Sequence, residues 1–399
     1  MTASNRGKIL ALTGILFLAL NLRGPFTSLA PVLAQIMESL SLSASNAGVL
    51  TALPLLSFAL FSPVATSISR KLGLYPCLLL ALLTIGGGIA LRSYGSEAPL
   101  YLGTILIGAG IATGNVLLPV VVKINFPARI SAVTSLYVFT MGIGAALSSS
   151  LMVPISAIDL GSVTGWQAAL LFNLIFPALA MFIWLPEVFR SNKRTQSTKQ
   201  NHDKETTIGQ LLKCPVAWHV TLGVGLNSFT FYSLAGWLPK MLNDHGYSEI
   251  DAGYTYGLLQ FSTMIPGLLL LPILSRTNNQ RTLITVCATS VVIAVLGLVT
   301  FSEYAPFWVV LFGLANCATF IIGISFVGLR TSSPGQAAAL SGLSQSIGYA
   351  LAATGPSLIG YLYSITESWV IPLLLIATVA VFCALFANLA ARDKNILSS

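Results

Sequence analysis

Charged residues are scarce in this 399-residue chain: they make up 8% of it, whereas 55% of the residues are hydrophobic. A soluble domain carries about 25% charged residues, so this chain has too few to cover a surface exposed to water. The mean hydropathy is +0.83. The composition therefore excludes a soluble globular protein and predicts a polytopic membrane protein solvated by lipid.

Motifs for catalysis, metal binding and disulfide formation are missing as well. The five cysteines stand singly in or beside apolar stretches, and the sequence has no Cys-x-x-Cys or Cys/His cluster. The stretch "GAGIATG" (108–114) is close to a dinucleotide fingerprint, but it lies inside an apolar span instead of between a strand and a helix. We therefore predict no catalytic residue, no metal and no cofactor, and a protein that is not an enzyme.

Long apolar stretches account for most of the chain. A helix of about 20 mainly apolar residues crosses a bilayer, and twelve such stretches occur, roughly at 9–37, 46–68, 75–94, 99–122, 131–156, 166–186, 214–242, 251–274, 282–301, 306–329, 336–362 and 369–391. The sequence predicts an all-α membrane protein with 12 transmembrane helices. A polar segment divides them into an N-terminal six-helix bundle (1–186), a cytoplasmic central loop (187–213) and a C-terminal six-helix bundle (214–399).

The basic residues are distributed unevenly across these spans. All but three of the 20 lysines and arginines fall on the side of the N-terminus, the exceptions being Arg23, Arg92 and Lys240. The positive-inside rule places that side, with both termini, in the cytoplasm. The net charge of +8 is explained by topology and by contact with anionic lipid, so we predict no nucleic-acid partner.

The two halves resemble each other in sequence. The tripeptide "SLA" begins at Ser28 and again at Ser233, and "NAG" at Asn46 returns as "DAG" at Asp251, both 205 positions later. Two six-helix halves joined by a basic cytoplasmic loop are typical of a secondary transporter, with a substrate site near the midplane between the halves.

Arg23 is the one charged residue deep in a predicted span. Arg92 also lies in a predicted span, but it falls near the outer end of that span. Arg23 lies 15 residues from both Lys8 and Glu38, about 22 Å along a helix, which is too far to snorkel to water. A central arginine costs about 2.5–3.5 kcal/mol on insertion scales. One role is structural, donating to helix carbonyls. No carboxylate lies deep in a span to pair with it, so anion binding by its planar fork is favoured.

Asn21 and Thr27 complete the predicted site in the first span. Thr27 is at i+4 from Arg23 and shares its helix face, whereas Asn21 does not and is expected to bond a neighbouring helix. Pro25 and Pro31 predict a broken or bent helix, either as a gating element or as a tolerated kink.

Six further polar residues lie within other predicted spans. Each alone is more typical of hydrogen bonding between helices than of ligand contact. Together they are candidates to line a cavity between the halves, since flat aromatic walls with a few donors suit a small planar solute. They are Asn115, Tyr137, Asn227, Tyr232, Gln260 and Gln345.

Several stretches carry a family resemblance along the whole chain. The segment "SPVATSISRKLG" (62–73) resembles the loop between helices two and three of the major facilitator superfamily, with Ser69 where that family has an acid. Four stretches are similar to the cyanate permease group, and within it to the 2-nitroimidazole transporter branch: "NLRGPFTSLAPVL" (21–33), "GNVLLPVVVKINFP" (114–127), "GWLPKML" (236–242) and "GLSQSIGYALAATGPSLIG" (342–360).

The resemblance implies the major-facilitator fold of two pseudo-symmetric six-helix bundles in a bacterial inner (plasma) membrane. It also implies transport of small anionic or nitro-bearing solutes, with helices one, four, seven and ten lining the path and helices five, eight and eleven contributing.

The sequence thus predicts a monomeric secondary transporter whose partners are membrane lipid and its solute. It moves a small planar anion or nitroheterocycle, cyanate-like or 2-nitroimidazole-like, by alternating access, and Arg23 is the substrate-binding cation. The alternative is a membrane-embedded enzyme or a channel without alternating access, in which Arg23 is structural. Uptake or efflux, and proton coupling or facilitated diffusion, both stay open.

Overall fold

The computed structural model describes residues 3–42, 44–158, 165–195, 208–276 and 280–396. Within these residues the chain is almost entirely helical, and none of them forms a β-strand. Eighteen α-helices follow in order: α1 (Ala3–Leu20), α2 (Gly24–Thr27), α3 (Leu33–Leu40), α4 (Ala44–Leu72), α5 (Leu74–Arg92), α6 (Glu97–Asn125), α7 (Ile130–Ser150), α8 (Met152–Ser156), α9 (Gly165–Phe172), α10 (Ile175–Thr195), α11 (Ile208–Leu212), α12 (Pro215–Asp244), α13 (Glu249–Ser262), α14 (Ile265–Arg276), α15 (Arg281–Thr300), α16 (Ala305–Leu329), α17 (Pro334–Thr366) and α18 (Val370–Ala390).

Ten helical stretches of the described chain are long and apolar enough to cross a membrane. They correspond to ten of the twelve predicted spans. The other two predicted spans are α12 and α17, which have 30 and 33 residues and so exceed the length that a bilayer needs. They fall outside the ten because their sequences are more polar, with side chains such as Asn227 in α12 and Gln345 in α17.

Four of the spans are interrupted: the first, fifth, sixth and eighth. In each, a proline stands in the first turn of the helix that follows the interruption, namely Pro25 in α2, Pro154 in α8, Pro177 in α10 and Pro266 in α14. Proline has no N–H to donate to the carbonyl four residues earlier, and its ring clashes with that carbonyl, so it is favoured only at a helix start. The prolines therefore suit the helix starts at these four points, although Pro54 and Pro63 lie inside the continuous helix α4.

The chain forms two compact units. One contains Met1–Asn125 and Thr140–Glu205, and the other contains Phe126–Phe139 and Thr206–Ser399. The first part of α7 thus packs within the second unit, while its later part belongs to the first. The division of the chain into bundles at 1–186 and 214–399 stays a prediction, and residues 196–207 of the predicted central loop lie outside the described residues.

Each unit has its own buried apolar cluster. In the first unit the cluster surrounds the segment that follows the interruption of the first span, and its members are Leu29, Val32, Ile36, Leu42, Leu50, Leu100, Met152, Trp166, Ala169 and Leu170. In the second unit a larger cluster is built mainly from α12, α15, α16 and α18, and it includes Leu238, Val295, Phe312 and Leu373. The first cluster surrounds the C-terminal end of the broken helix.

The sequence repeat is also a repeat of contacts. In the first unit, a methyl group added at Gly108 of α6 would lie 2.5 Å from Cβ of Ser57 in α4. In the second unit, a methyl group at Gly313 of α16 would overlap the hydroxyl of Ser262 in α13. Ser262 and Gly313 stand 205 positions after Ser57 and Gly108. Each unit therefore has the same close helix crossing at the same place in the repeat.

A second crossing recurs in the same way. A methyl group at Gly144 of α7 would overlap the carbonyl oxygen of Leu20 in α1, and one at Gly348 of α17 would lie 3.1 Å from Cα of Gly225 in α12. The offsets are 204 and 205 positions. Small residues let helix backbones approach closely in membranes, and here they do so at matching points of both units.

Two adjacent glycines in α5 allow this packing to be tested. A methyl group at Gly88 would lie 2.8 Å from the carbonyl oxygen of Gly103, whereas one at Gly87 would meet nothing within 4 Å. We expect Gly88→Ala to reduce the free energy of unfolding by about 1–3 kcal/mol because the backbones must separate. Gly87→Ala should leave it unchanged or raise it by about 0.5–1 kcal/mol. Thermal unfolding in detergent measures both, and equal effects would contradict the close crossing.

Candidate functional site

The first span is interrupted at the predicted arginine. The amide N–H groups of Asn21 and Leu22 donate to the carbonyls three residues earlier, at 3.0 and 3.1 Å, which tightens the end of α1. Arg23 then adopts φ −131° and ψ −35°, outside the regular helix, and α2 begins at the next residue. The predicted break of the first helix is confirmed, and Arg23 lies in it.

Helix α7 packs directly on this break. Gly144 has no side chain where Leu20 ends α1, so the two backbones meet. The Thr27 hydroxyl is 3.3 Å from the carbonyl oxygen of Ala145 in α7 and lies at the same distance from the carbonyl oxygen of Arg23. The Thr27 hydroxyl is therefore bonded within the protein, and its place in a binding site stays a prediction.

Asn21 joins the break to the sixth span. Its side chain is 0% exposed, and its Nδ2 donates to the carbonyl oxygens of Phe17 at 2.8 Å and of Phe176 in α10 at 3.2 Å. The expectation that Asn21 bonds a neighbouring helix is confirmed. Its Oδ1 is buried and has no hydrogen-bond partner among the described residues.

A second arginine contacts the same segment. Arg92, the last residue of α5, is 1% exposed, whereas Arg23 is only half-buried. The Arg92 Nη1 donates to the carbonyl oxygen of Pro25 at 2.9 Å, and its Nη2 donates to the hydroxyl of Ser28 at 3.1 Å. In the sequence Arg92 falls near the outer end of its predicted span, and the 64 positions that separate it from Ser28 leave no periodic signal of this contact.

Asn115 is the fourth predicted residue in the first unit, and it lies half-buried in α6. Its neighbour Gly114 faces the break, since a methyl group there would overlap Cδ2 of Leu22. The first unit thus brings Arg23, Asn21 and Thr27 together at the break. Asn115 is next in sequence to Gly114, which lies against Leu22 at the break.

The predicted residue Asn227 in the second unit is bonded to another asparagine. Asn227 and Asn316 are 2% and 3% exposed. The Asn316 Nδ2 is 3.2 Å from both the backbone and side-chain oxygens of Asn227, and 3.1 Å from the Thr230 hydroxyl. Asn316, which lies within α16, is not among the predicted site residues, and the bonds between these two amides join α12 to α16.

The remaining predicted residues also belong to the second unit. Gln260 donates to the Tyr256 hydroxyl at 2.8 Å along one face of α13. Tyr137 and Gln345 are buried, and Tyr232 is half-buried. Their role in binding stays a prediction.

Comparison with known proteins decides the family. Residues 12–353 match the sequence model of the Major Facilitator Superfamily. The chain belongs to the major facilitator superfamily. It is 43% identical over 393 residues to the 2-nitroimidazole transporter of Escherichia coli (strain K12), with 98% of each chain covered. It is 25% identical over 363 residues to the cyanate transport protein CynX of the same organism, covering 89% of this chain and 90% of that protein.

Solved structures of the superfamily have the same fold. The proton:xylose symporter XylE superposes with a TM-score of 0.76 at 14% identity, covering 98% of this chain and 96% of that one. Together with the family match, this confirms the predicted all-α, twelve-helix major-facilitator fold. The chain is therefore a multi-pass membrane transporter of the major facilitator type.

The asparagine pair in the second unit gives a direct test of its structural part. We expect Asn227→Ala and Asn316→Ala each to destabilise the protein, and the double variant to cost less than their sum, with a coupling of about 0.6–1.7 kcal/mol. The reason is that either substitution already removes the hydrogen bonds between the two side chains. Thermal unfolding of the three variants in detergent measures the coupling, and strictly additive effects would rule out a direct interaction.

Proposed function

We propose that this major facilitator moves a small planar anion or nitroheterocycle, cyanate-like or 2-nitroimidazole-like, and that Arg23 binds it. One observation carries the proposal: a half-buried arginine lies in the break of the first helix. The names of two relatives, a 2-nitroimidazole transporter and a cyanate transport protein, supply the class of solute.

The position of Arg23 supports a role in binding. Irregular backbone at membrane depth is tolerated only where it is buried in protein or lines a water-filled cavity. In secondary transporters, interrupted helices of this kind form substrate sites. Arg23 is less buried than Arg92, so of the two arginines at the break it is the one with surface left for a solute.

The chemistry of the guanidinium suits the proposed solutes. It is planar, permanently charged and presents parallel N–H donors. A nitro group presents two oxygens in the plane of its ring, and a carboxylate-like anion presents a similar pair, so either can accept two bonds from one guanidinium. A solute bound in this way also offsets the cost of holding the cation away from water.

The proposal includes the transport cycle and its setting. Binding at Arg23 would be followed by exchange between outward-open and inward-open states, the alternating access typical of secondary transporters. The transporter works as a monomer in a bacterial inner membrane, with both termini in the cytoplasm. Asn21, Thr27, Asn115, Tyr137, Asn227, Tyr232, Gln260 and Gln345 remain candidate contacts of the solute.

Replacement of Arg23 tests the central claim. We expect Arg23→Ala to abolish 2-nitroimidazole uptake into proteoliposomes while the protein still inserts, and Arg23→Lys to impair uptake because a single ammonium lacks the fork. Arg392→Ala, which removes an exposed arginine after α18, is the matched control and should transport normally. Full uptake by correctly inserted Arg23→Ala would refute the proposed role.

A channel or a membrane-embedded enzyme is the alternative, with Arg23 structural. Counterflow separates these from a carrier. We expect vesicles preloaded with unlabelled 2-nitroimidazole to accumulate labelled solute transiently, with a rate that saturates, because a carrier exchanges one solute for another. Equilibration without an overshoot would indicate a channel, and chemical alteration of the recovered solute would indicate an enzyme.

A further inference from the structure

Arg92 supplies hydrogen bonds that the broken helix needs. Pro31 has no N–H for the carbonyl of Thr27, and the chain leaves the regular α-helix between α2 and α3. The Pro25 carbonyl accepts from the Arg92 Nη1 at 2.9 Å and from the Ser28 hydroxyl at 3.0 Å. The Arg92 Nη2 reaches the Ser28 hydroxyl in turn. One buried guanidinium therefore closes a small network over Pro25–Ser28.

The backbone of Arg92 is held in place by the neighbouring helix α6. A methyl group at Gly103 of α6 would overlap the backbone nitrogen of Arg92 and lie 2.8 Å from its Cα. Because α5 and α6 meet backbone to backbone at this point, Arg92 extends to the broken helix from a rigid support. A displacement of Pro25–Ser28 must therefore break its bonds to Arg92.

The second unit provides a natural comparison at the same repeat positions. Ser233 stands 205 positions after Ser28 and is also 0% exposed. It lies within the unbroken helix α12, and its hydroxyl has no partner among the described residues. Gly297 stands where Arg92 would be, and Trp308 packs against it in place of Gly103. The serine recurs, whereas the arginine and the break do not.

We propose that Arg92 is a positioning residue for transport: its bonds to Pro25 and Ser28 keep the first helix interrupted and thereby set the orientation of Arg23 toward the solute. This rests on the proposed binding role of Arg23. Arg92 itself does not touch the solute, because it is buried and its Nη atoms are bonded to the helix.

Two serine variants at equivalent repeat positions test the proposal, with uptake of 2-nitroimidazole into proteoliposomes as the readout. Ser28→Ala removes the acceptor of the Arg92 Nη2, and loss of a hydrogen bond to a charged group corresponds to about tenfold or more in an equilibrium. We expect Ser28→Ala to raise the KM for the solute about tenfold, with Vmax per inserted transporter kept. Ser233→Ala, which loses no bond, should match the wild type. A Vmax loss at unchanged KM would show a purely structural role and overturn the proposal.

A second measurement does not depend on solute binding or on the yield of active transporter. In an Arg23→Cys background, the rate of labelling by a small cationic methanethiosulfonate reports the exposure of position 23, corrected for the native cysteines. We expect Ser28→Ala and Arg92→Lys each to change this labelling rate at least about threefold, because the loss of one hydrogen bond shifts a conformational equilibrium by that much or more. Ser233→Ala should leave the labelling rate unchanged.

The two measurements separate the two proposals. An unchanged labelling rate in both Ser28→Ala and Arg92→Lys would overturn positioning by Arg92. A changed labelling rate in Ser28→Ala, together with an unaltered KM and an unaltered Vmax in that variant, would support the control of the break by Arg92 and contradict the binding role of Arg23.

Discussion

A helix that breaks inside a membrane protein must have its freed backbone groups satisfied by the protein itself, because lipid offers no hydrogen bonds. Three side chains of the first unit meet this constraint at the break of the first helix. Asn21 bonds carbonyls on both sides of an interhelical contact, and Thr27 bonds backbone carbonyls around the break. Arg92 bonds the segment that follows. Asn21, Thr27 and Arg92 therefore bond the backbone carbonyls around the point where Arg23 interrupts the first helix.

The same residues show why polar side chains in a span are ambiguous when read alone. Asn21 and Thr27 were predicted as solute contacts, and both have polar groups bonded within the protein. Asn227 is bonded to Asn316. Such bonds do not prevent a side chain from also contacting a solute, since the Asn21 Oδ1 is left without a partner among the described residues. The hydrogen bonds of these side chains within the protein are therefore compatible with their proposed role in binding.

The sequence was sufficient for the spans because hydropathy acts locally: each of the twelve predicted stretches corresponds to a helical region of the structure. Breaks were harder to predict. Pro25 follows an interruption, but Pro54 and Pro63 lie within the continuous helix α4, so tertiary packing decides which prolines divide a helix. The contacts of Arg92 join residues more than 60 positions apart, and neither periodicity nor composition reports a pairing at that distance. The repeat offset of 205, in contrast, was visible in sequence and recurs in the helix crossings.

The polarity of α12 and α17 has a consequence for how the protein is made. These two helices pack on each other, with Gly225 against Gly348 and the hydroxyls of Thr221 and Ser344 3.1 Å apart. Polar residues lower the tendency of a segment to partition from the translocon into lipid. Since α12 is synthesised well before α17, its polar face enters the bilayer without the partner that later covers it. The hydroxyl of Thr221 therefore gains its bond to Ser344 only after α17 has also been made.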